Sequence, residues 1–482
     1  MTTARAQTWG EAGRVAEAVG RREVRAVDAV AEALRRIEAL DGPIGAVCAL
    51  RADEALAEAA ELDRRLDAGA PPGPLAGVPL LVKDLQDVAG MPTRAGSVLL
   101  AGAPPKERDG LVVERLRAAG AVVVGKSTLP EFATEGHCAS PLTGVTRNPW
   151  HLPSSPGGSS GGSAAALAAG MVPLATATDG GGSVRIPAAF CGLVGLKPTF
   201  GLIPRRPLPD WLDLSVEGPM GTTVADVRLQ LAVTAGGSGA GDPEAWPGSG
   251  LPPSPVAGPP QRLLVAHRTA PLGPLPDDVA AALEAAVDQL ATLFPDAEVV
   301  RLPPDGAGLD LDGGEDWLAL ASADHVAALG RGFVEANLDG MSAGARAFLG
   351  FGLRVGLDDY LAARRRRFGY VAALDRLLEG GGVLVTTSSG AASIPAEGWL
   401  DADGRPTGIP PEVYTTELQN LTGHPSISLP AGTIGPLPFG VQLTAPRLAD
   451  TWLLDLAERW EAARPWPRHP PGYTPFSVPR AA

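Results

Sequence analysis

The sequence predicts an α/β fold, because segments with helical periodicity alternate with short apolar segments that are typical of strands. In segment 11–41, and again in 52–68, apolar residues recur three and four positions apart with charged residues between them. Prolines then end this pattern, and the apolar run GVPLLVKD at 77–84 predicts a buried strand. A helix at 111–119 and a strand at 121–124 repeat the order. We therefore expect the helices to pack on the outside of a sheet.

The second half of the chain continues the alternation after a Pro/Gly-rich connection at 242–261. Four arginines at 364–367 predict a solvated helix face. The predicted helices are 277–293, 316–336, 357–378 and one that begins at Asp450, and the predicted strands are 382–387, 426–429 and 439–443.

Composition excludes several classes of protein. With 40 basic and 54 acidic residues among 482, the net charge of −14 argues against direct binding to nucleic acid or to an anionic membrane surface. The chain has no apolar run of about eighteen residues that could span a membrane, and its start lacks the apolar core of a secretory signal. Cys48, Cys138 and Cys191 are too few and too scattered for a disulfide framework or a metal cluster. We therefore expect a cytoplasmic protein without a metal site.

The stretch 156–199 carries the chemistry around which the rest of the chain is organised. Two clusters of glycine and serine, at 157–163 and 180–183, flank a segment of small residues that predicts a buried helix. Glycine lets the backbone adopt positive φ and lets its amides face a ligand, while serine adds hydroxyl groups without bulk. Two such turns can direct hydroxyls and backbone N–H groups at one point.

This stretch resembles the amidase signature family. The motif reads GGSSGGSAAALAAG followed by TDGGGSVRIPAAFCGLVGLKPT. The resemblance continues upstream through GVPLLVKDLQDVAG, GAVVVGKSTLPEFA and GVTRNPW, and downstream through GHPSISLPAG and LPFGVQLTAPR. These segments keep the family's order along most of the chain, which is far more specific than a single Gly–Ser run.

The resemblance implies a single α/β domain with a central mixed β-sheet of roughly ten strands, covered by helices on both faces. We expect an N-terminal helical segment at 1–70 packed on the core, the catalytic domain at 71–465 and a C-terminal tail at 466–482. The connection at 242–261 is interpreted as a surface excursion. The oligomeric state is open, and a homodimer is one expectation.

The resemblance also assigns catalytic roles. It makes Ser183 the nucleophile, Ser159 a bridging serine that the family holds with a cis peptide, and Lys83 the terminal base. A lysine enclosed by apolar residues is desolvated, which lowers its pKa and favours the neutral amine. That amine can take the proton of Ser183 through Ser159 and later return it to the departing amine.

The glycines before the nucleophile are the expected oxyanion hole. The backbone amides of Gly180, Gly181 and Gly182, with that of Ser183, are the donors that would bind the developing negative charge. Gly180 departs from the family pattern, which often has a larger residue at this position. We expect the missing side chain to widen the loop and broaden the range of acyl groups.

Supporting and substrate-binding residues follow from the same resemblance. Ser160 is expected to form a hydrogen bond with Lys83, and Asp179 and Arg185 to form an ion pair that braces the turn. Trp211 lies in a proline-rich loop, 201–218. The candidate substrate-binding residues are Ala133, Thr134, Gly136, Cys138 and Trp211.

Two other motif matches are rejected on physical grounds. Residues 120–127, GAVVVGKS, satisfy the phosphate-loop pattern, but the β-branched residues between the glycines favour a strand over a phosphate cradle. Residues 157–161, GGSSG, satisfy the nucleophile elbow of α/β-hydrolases, but a proline-broken loop precedes them instead of a strand.

The predicted function is hydrolysis of the C–N bond of small, fairly apolar carboxylic amides through an acyl-enzyme on Ser183, without a cofactor. Esters, anilides and carbamates (urethanes) are further candidate substrates. One alternative is the glutaminase-like subunit of a tRNA-dependent amidotransferase, which would need a partner protein. The other is a non-catalytic binding protein on the same scaffold, against which the presence of all three catalytic residues argues.

Overall fold

Strands of apolar, β-branched residues form the centre of the protein, and amphipathic helices flank them. A computed structural model describes residues 10–237, 241–270, 273–303, 309, 311–400, 403, 406–407, 410 and 413–479. Residues 1–9 and 480–482 of the predicted terminal segments lie outside the described residues. None of the helices in the described ranges combines the length and the apolar character that crossing a membrane requires.

The helices have the following bounds: α1 Glu11–Gly20, α2 Ala26–Leu40, α3 Ala52–Asp67, α4 Leu111–Ala118, α5 Gly161–Ala168, α6 Arg185–Cys191, α7 Val224–Thr234, α8 Asp277–Leu293, α9 Gly314–Leu329, α10 Arg331–Asn337, α11 Ala343–Gly352, α12 Leu357–Leu378, α13 Glu417–Thr422 and α14 Asp450–Ala463. The strands are β1 Val47–Leu50, β2 Pro79–Lys83, β3 Val122–Ser127, β4 Ala139–Ser140, β5 Gly144–Val145, β6 Leu174–Ala175, β7 Thr178–Asp179, β8 Val194–Lys197, β9 Val216–Glu217, β10 Met220–Gly221, β11 Arg262–Val265, β12 Glu298–Arg301, β13 Gly382–Thr387, β14 Trp399–Leu400, β15 Pro406–Thr407, β16 Ser426–Ile434 and β17 Leu437–Thr444.

Eleven of the described strands form one mixed sheet, in the order β1-β3-β2-β6-β10-β8-β16-β17-β13-β11-β12. Strand β2 is parallel to β3 and β6, and β11 is parallel to β12 and β13, whereas the other pairs in this sheet are antiparallel. The predicted mixed sheet is therefore confirmed. The segment 1–70, expected to be helical, also contributes the edge strand β1.

Strand β3 passes through the segment that matches the phosphate-loop pattern. Its residues are buried, and the ammonium of Lys126 lies 2.9 Å from the Asp84 carboxylate in the protein interior. The segment is a strand with an internally paired lysine, as the β-branched residues indicated.

Helices α8 and α12 have the predicted bounds, but the predicted helix 316–336 does not continue unbroken. Gly330, at φ 88°, separates α9 from α10. The prediction of a solvated arginine face on α12 is wrong. The guanidinium groups of Arg364 and Arg367 both bind Asp213, because these long side chains reach the loop at 201–218.

Two apolar clusters meet near the middle of the chain. The larger one fills the space between the sheet and its helices and extends from Ala12 to Phe476. A smaller one, formed by α9–α12 and the loop at 201–218, contains Phe132, Trp211 and Phe348. This smaller cluster covers the ends of the strands that carry the candidate catalytic residues.

Candidate active site

Helix α5 begins directly after Ser159 and Ser160, and small residues allow it to lie deep in the protein. A Cβ atom added to Gly161 would come within 2.5 Å of the Cβ of Cys138, so a larger residue there would push the helix away. The Gly158–Ser159 peptide bond is cis, as the resemblance implied. Both serines are almost completely buried.

The side chain of Lys83 extends from the end of strand β2 to these serines. Its Nζ lies 2.8 Å from Ser159 Oγ, 2.9 Å from Ser160 Oγ and 2.8 Å from Thr178 Oγ1. The Ser160 hydroxyl donates to the carbonyl oxygen of Thr178 at 3.3 Å, so it accepts a hydrogen bond from Nζ. The expected contact between Ser160 and Lys83 is therefore present.

Burial lowers the pKa of Lys83 to about 7, against the opposing effect of nearby acidic groups, of which Glu217 is the strongest. A neutral amine has two N–H donors and one lone pair. If Ser160 and Thr178 accept the two N–H groups, the lone pair faces the hydroxyl of Ser159. This arrangement suits Lys83 to act as a base toward Ser159.

Ser183 follows three glycines in the loop between β7 and α6, and it lines the same cavity as Ser159. Gly182 has φ 131°, a conformation that favours glycine. The hydroxyls of Ser159 and Ser183, both in the described part of the chain, are not joined by a hydrogen bond. Catalytic hydrogen bonds often tighten only when the substrate binds.

Two side chains hold the carbonyl groups of this loop. The indole Nε1 of Trp317 donates to Gly180 O at 2.7 Å, and the hydroxyl of Thr416 donates to Gly181 O at 2.5 Å. The C=O and N–H groups of a trans peptide point in opposite directions. These contacts therefore also fix the directions of the Gly181 and Gly182 amides.

The structure narrows the expected set of oxyanion donors. The amide of Gly182 donates to Asp179 Oδ1 at 2.8 Å and is occupied. The amides of Gly180 and Gly181 donate to no acceptor within the described ranges of the chain. Together with Ser183, these two glycines are the candidates that remain.

The expected ion pair of Asp179 and Arg185 is present below the loop, with both side chains fully buried. Arg185 Nε and Nη2 donate to the two carboxylate oxygens at 2.9 and 2.8 Å. Burial by itself would raise the pKa of Asp179, but the Arg185 guanidinium outweighs this effect and lowers the pKa to about 2. The pair holds the loop from beneath and does not line the cavity.

A cavity of about 270 Å³ opens beside Ser159 and Ser183. Its deeper walls are aromatic and aliphatic, which suits the uncharged body of a small organic molecule. Charged residues of the lining, such as Lys106 and Arg206, are paired with Asp87 and Glu114. The apolar lining residues include Leu85, Val113, Phe132, Trp211 and Leu329.

Comparisons with known proteins agree with this site. The Amidase family model matches residues 28–325. The chain belongs to the amidase signature family. A glutamyl-tRNA(Gln) amidotransferase subunit of Symbiobacterium thermophilum is 35% identical over 90% of this chain and 93% of its own length. Putative amidase AmiB2 of Mycobacterium tuberculosis is 36% identical, with 91% and 92% covered.

Solved structures of the family share the fold. A bacterial aryl acylamidase of the amidase signature family matches with a TM-score of 0.83 and 25% identity, covering 96% of this chain and 98% of that one. The peptide amidase of Stenotrophomonas maltophilia matches with a TM-score of 0.76 and 29% identity, covering 95% and 97%. The chain is therefore an amidase signature hydrolase, a class that acts on C–N bonds.

Only two of the five predicted substrate-binding residues of this amidase signature chain line the cavity, Ala133 and Trp211. Phe132 and Ala133 both adopt positive φ, at 53° and 59°, and the chain then turns away from the cavity. The predictions for the other three residues are corrected accordingly. They are Thr134, whose hydroxyl donates to Glu131 O at 3.0 Å, Gly136, and Cys138, which is fully buried under helix α5.

The expectation that Gly180 widens the oxyanion loop is also wrong. A Cβ atom added there would lie 2.3 Å from Cε3 of Trp211, so the indole occupies the space that a side chain would take. Trp211 is packed edge-on against Trp317, with ring centroids 5.7 Å apart. Aromatic groups therefore narrow the site beside the loop.

Sequence reasoning missed several polar residues of the site. Glu217 lies opposite Thr178 in the β7–β9 pair and accepts a hydrogen bond from Gln86 Nε2. Burial raises the pKa of Glu217 to about 7, although the Lys83 ammonium opposes the shift. His325, on α9, also lines the cavity. An acidic residue between apolar neighbours just before Gly218-Pro219 was the one local signal available for Glu217.

Proposed function

We propose that this protein hydrolyses the C–N bond of small, fairly apolar carboxylic amides through an acyl-enzyme on Ser183. The observation that carries the proposal is the buried Lys83 amine in contact with Ser159, beside a cavity that Ser183 also lines. Membership of the amidase signature family supports it.

In the first half of the reaction, the neutral Lys83 amine takes the proton of Ser159, which in turn takes the proton of Ser183. The Ser183 oxygen attacks the carbonyl carbon, and the carbonyl oxygen becomes an oxyanion. The amides of Gly180 and Gly181 are oriented to receive that charge. A donor of this kind contributes about 3 kcal/mol to stabilising the transition state.

The proton then travels back to the leaving nitrogen, the C–N bond breaks and the amine departs. A water molecule uses the same base to attack the acyl-enzyme, which releases the carboxylic acid and restores the Ser183 hydroxyl. The same steps cleave esters, anilides and carbamates, because each has a carbonyl carbon bound to a leaving oxygen or nitrogen. Carbamates (urethanes) therefore remain in the proposed substrate range.

A second candidate function is supported by one comparison, the 35% identity to part of a glutamyl-tRNA(Gln) amidotransferase. A glutaminase-like protein of that kind would release ammonia from glutamine within a complex. The aromatic and aliphatic walls around Phe132, Trp211 and Leu329 favour a substrate with an apolar body over the polar side chain of glutamine. We therefore rank the free-standing amidase first.

The test is hydrolysis by the purified chain of a panel of primary amides, anilides, aryl esters and aryl carbamates, with glutamine included. Ser183→Ala and Lys83→Ala are expected to lose nearly all activity. Ser163→Ala is the matched control, because this buried serine of α5 makes the same chemical change away from the cavity. Turnover of glutamine alone, or a fully active Lys83→Ala, would contradict the proposal.

A further inference from the structure

The side chain of His325 is buried at the deep end of the cavity, beyond Trp211 as seen from the Ser183 loop. Only 1% of the residue is exposed. Rings of Phe132, Trp211 and Phe348 surround the imidazole, with centroids 6.1, 5.9 and 6.1 Å away. Leu329, one helical turn later on α9, lines the same cavity.

A hydrogen bond from Trp211 determines which imidazole nitrogen carries the proton. The indole Nε1 of Trp211 donates to His325 Nδ1 at 2.8 Å. An indole N–H can only donate, so Nδ1 must be the unprotonated acceptor. The neutral ring therefore carries its hydrogen on Nε2.

This Nε2–H group has no hydrogen-bond acceptor among the residues that the structure describes. Asp210 Oδ2 lies 3.3 Å away, but the contact does not have hydrogen-bond geometry, and the Asp210 side chain is 42% exposed to solvent. A buried donor without an acceptor is unfavourable. In a cavity wall, such a donor is satisfied by a ligand that brings an acceptor.

We propose that His325 determines substrate specificity by donating a hydrogen bond from Nε2 to an acceptor oxygen on the body of the substrate. The reacting carbonyl lies at Ser183, and Trp211 separates the two points. The substrate class is therefore an amide or carbamate with a flat apolar middle and a carbonyl, ether or nitro oxygen at its far end. This inference rests on the proposed hydrolase function and specifies its substrate.

The test measures binding instead of turnover, so that it does not depend on the proposed chemistry. In the Ser183→Ala variant, calorimetry compares two isosteric pairs. One pair is 4-acetylphenylacetamide and 4-isopropylphenylacetamide, and the other is the acetanilides with the same two substituents. The pair that shows a preference identifies the half of the substrate that occupies the cavity.

We expect the acetyl compound of one pair to bind about tenfold more tightly, the effect of one hydrogen bond to a buried donor. Adding His325→Phe should abolish the preference, because phenylalanine keeps the ring but has no donor. His325→Gln, which can both accept from Trp211 and donate, should retain part of it. Thermal melting checks that each variant is folded.

Equal affinities within both pairs would overturn the inference, as would a preference that survives His325→Phe. Failure of all four compounds to bind would show that the assigned ligand class is wrong. Loss of turnover with an intact binding preference would instead contradict the proposed hydrolase function alone.

Discussion

Replacing Gly180 with alanine tests the contact between the oxyanion loop and the aromatic wall. The new Cβ atom would lie 2.3 Å from Cε3 and 2.7 Å from Cζ3 of Trp211. Carbon atoms prefer separations of about 3.5 to 4.0 Å, so either the indole or the loop must move by more than about 1 Å. The indole is held by its 2.8 Å hydrogen bond to His325.

Two effects follow from this displacement. Overpacking of a filled site typically costs about 1–3 kcal/mol of the free energy of unfolding. A shift of about 1 Å in a catalytic donor lowers kcat by about a hundredfold. We therefore expect Gly180→Ala to be less stable in denaturant titrations and to have a much lower kcat on the best substrate of the panel.

The control is Gly314→Ala, because a Cβ at Gly314 would have no neighbour within 4 Å. The double variant Gly180→Ala/Trp211→Leu gives the new methyl group room and should recover much of the lost stability. A wild-type kcat and stability in Gly180→Ala would refute the steric argument. Strictly additive effects in the double variant would do the same, since residues in contact are expected to couple.

Three further predictions follow from the site. The pKa of Lys83 near 7 predicts that kcat/KM rises with pH through about 7 as the amine becomes neutral, and an activity that falls over this range would contradict Lys83 as the base. Arg185→Leu leaves Asp179 buried without its partner and should cost about 3–5 kcal/mol in denaturant unfolding, whereas removing the exposed Arg331 should have no measurable effect. Trp317→Phe removes the donor that fixes the loop, so kcat should fall about tenfold with little change in KM; an unchanged kcat would show that this hydrogen bond does not orient the loop amides.

The chemistry that lies close together in the chain could be predicted from the sequence. Glycines and serines at 157–163 and 180–183 indicated two turns, and the apolar run before Lys83 indicated a buried strand ending in a lysine. The contact of Lys83 with Ser159 and Ser160 agrees with that reading. The catalytic roles of these residues remain predictions that kinetics must test.

The walls of the cavity could not be predicted, because they come from distant segments. Trp317 and His325 lie on a helix whose periodicity indicates only that one face is buried. Their position beside Gly180 depends on how α9 packs across the loop at 201–218. Likewise, the positive φ angles of Phe132 and Ala133, residues that rarely adopt them, removed Thr134 and Cys138 from the cavity.

The central claim is that Lys83 activates Ser183, and labelling with a serine-reactive fluorophosphonate tests it most directly. Peptide mass spectrometry should locate the adduct on Ser183, with a labelling rate that increases between about pH 6 and pH 8, on either side of the pKa of about 7. Lys83→Ala should label far more slowly at every pH, and Ser183→Ala should not label at this peptide. An adduct on another serine, or equal labelling rates in wild type and Lys83→Ala, would contradict the account.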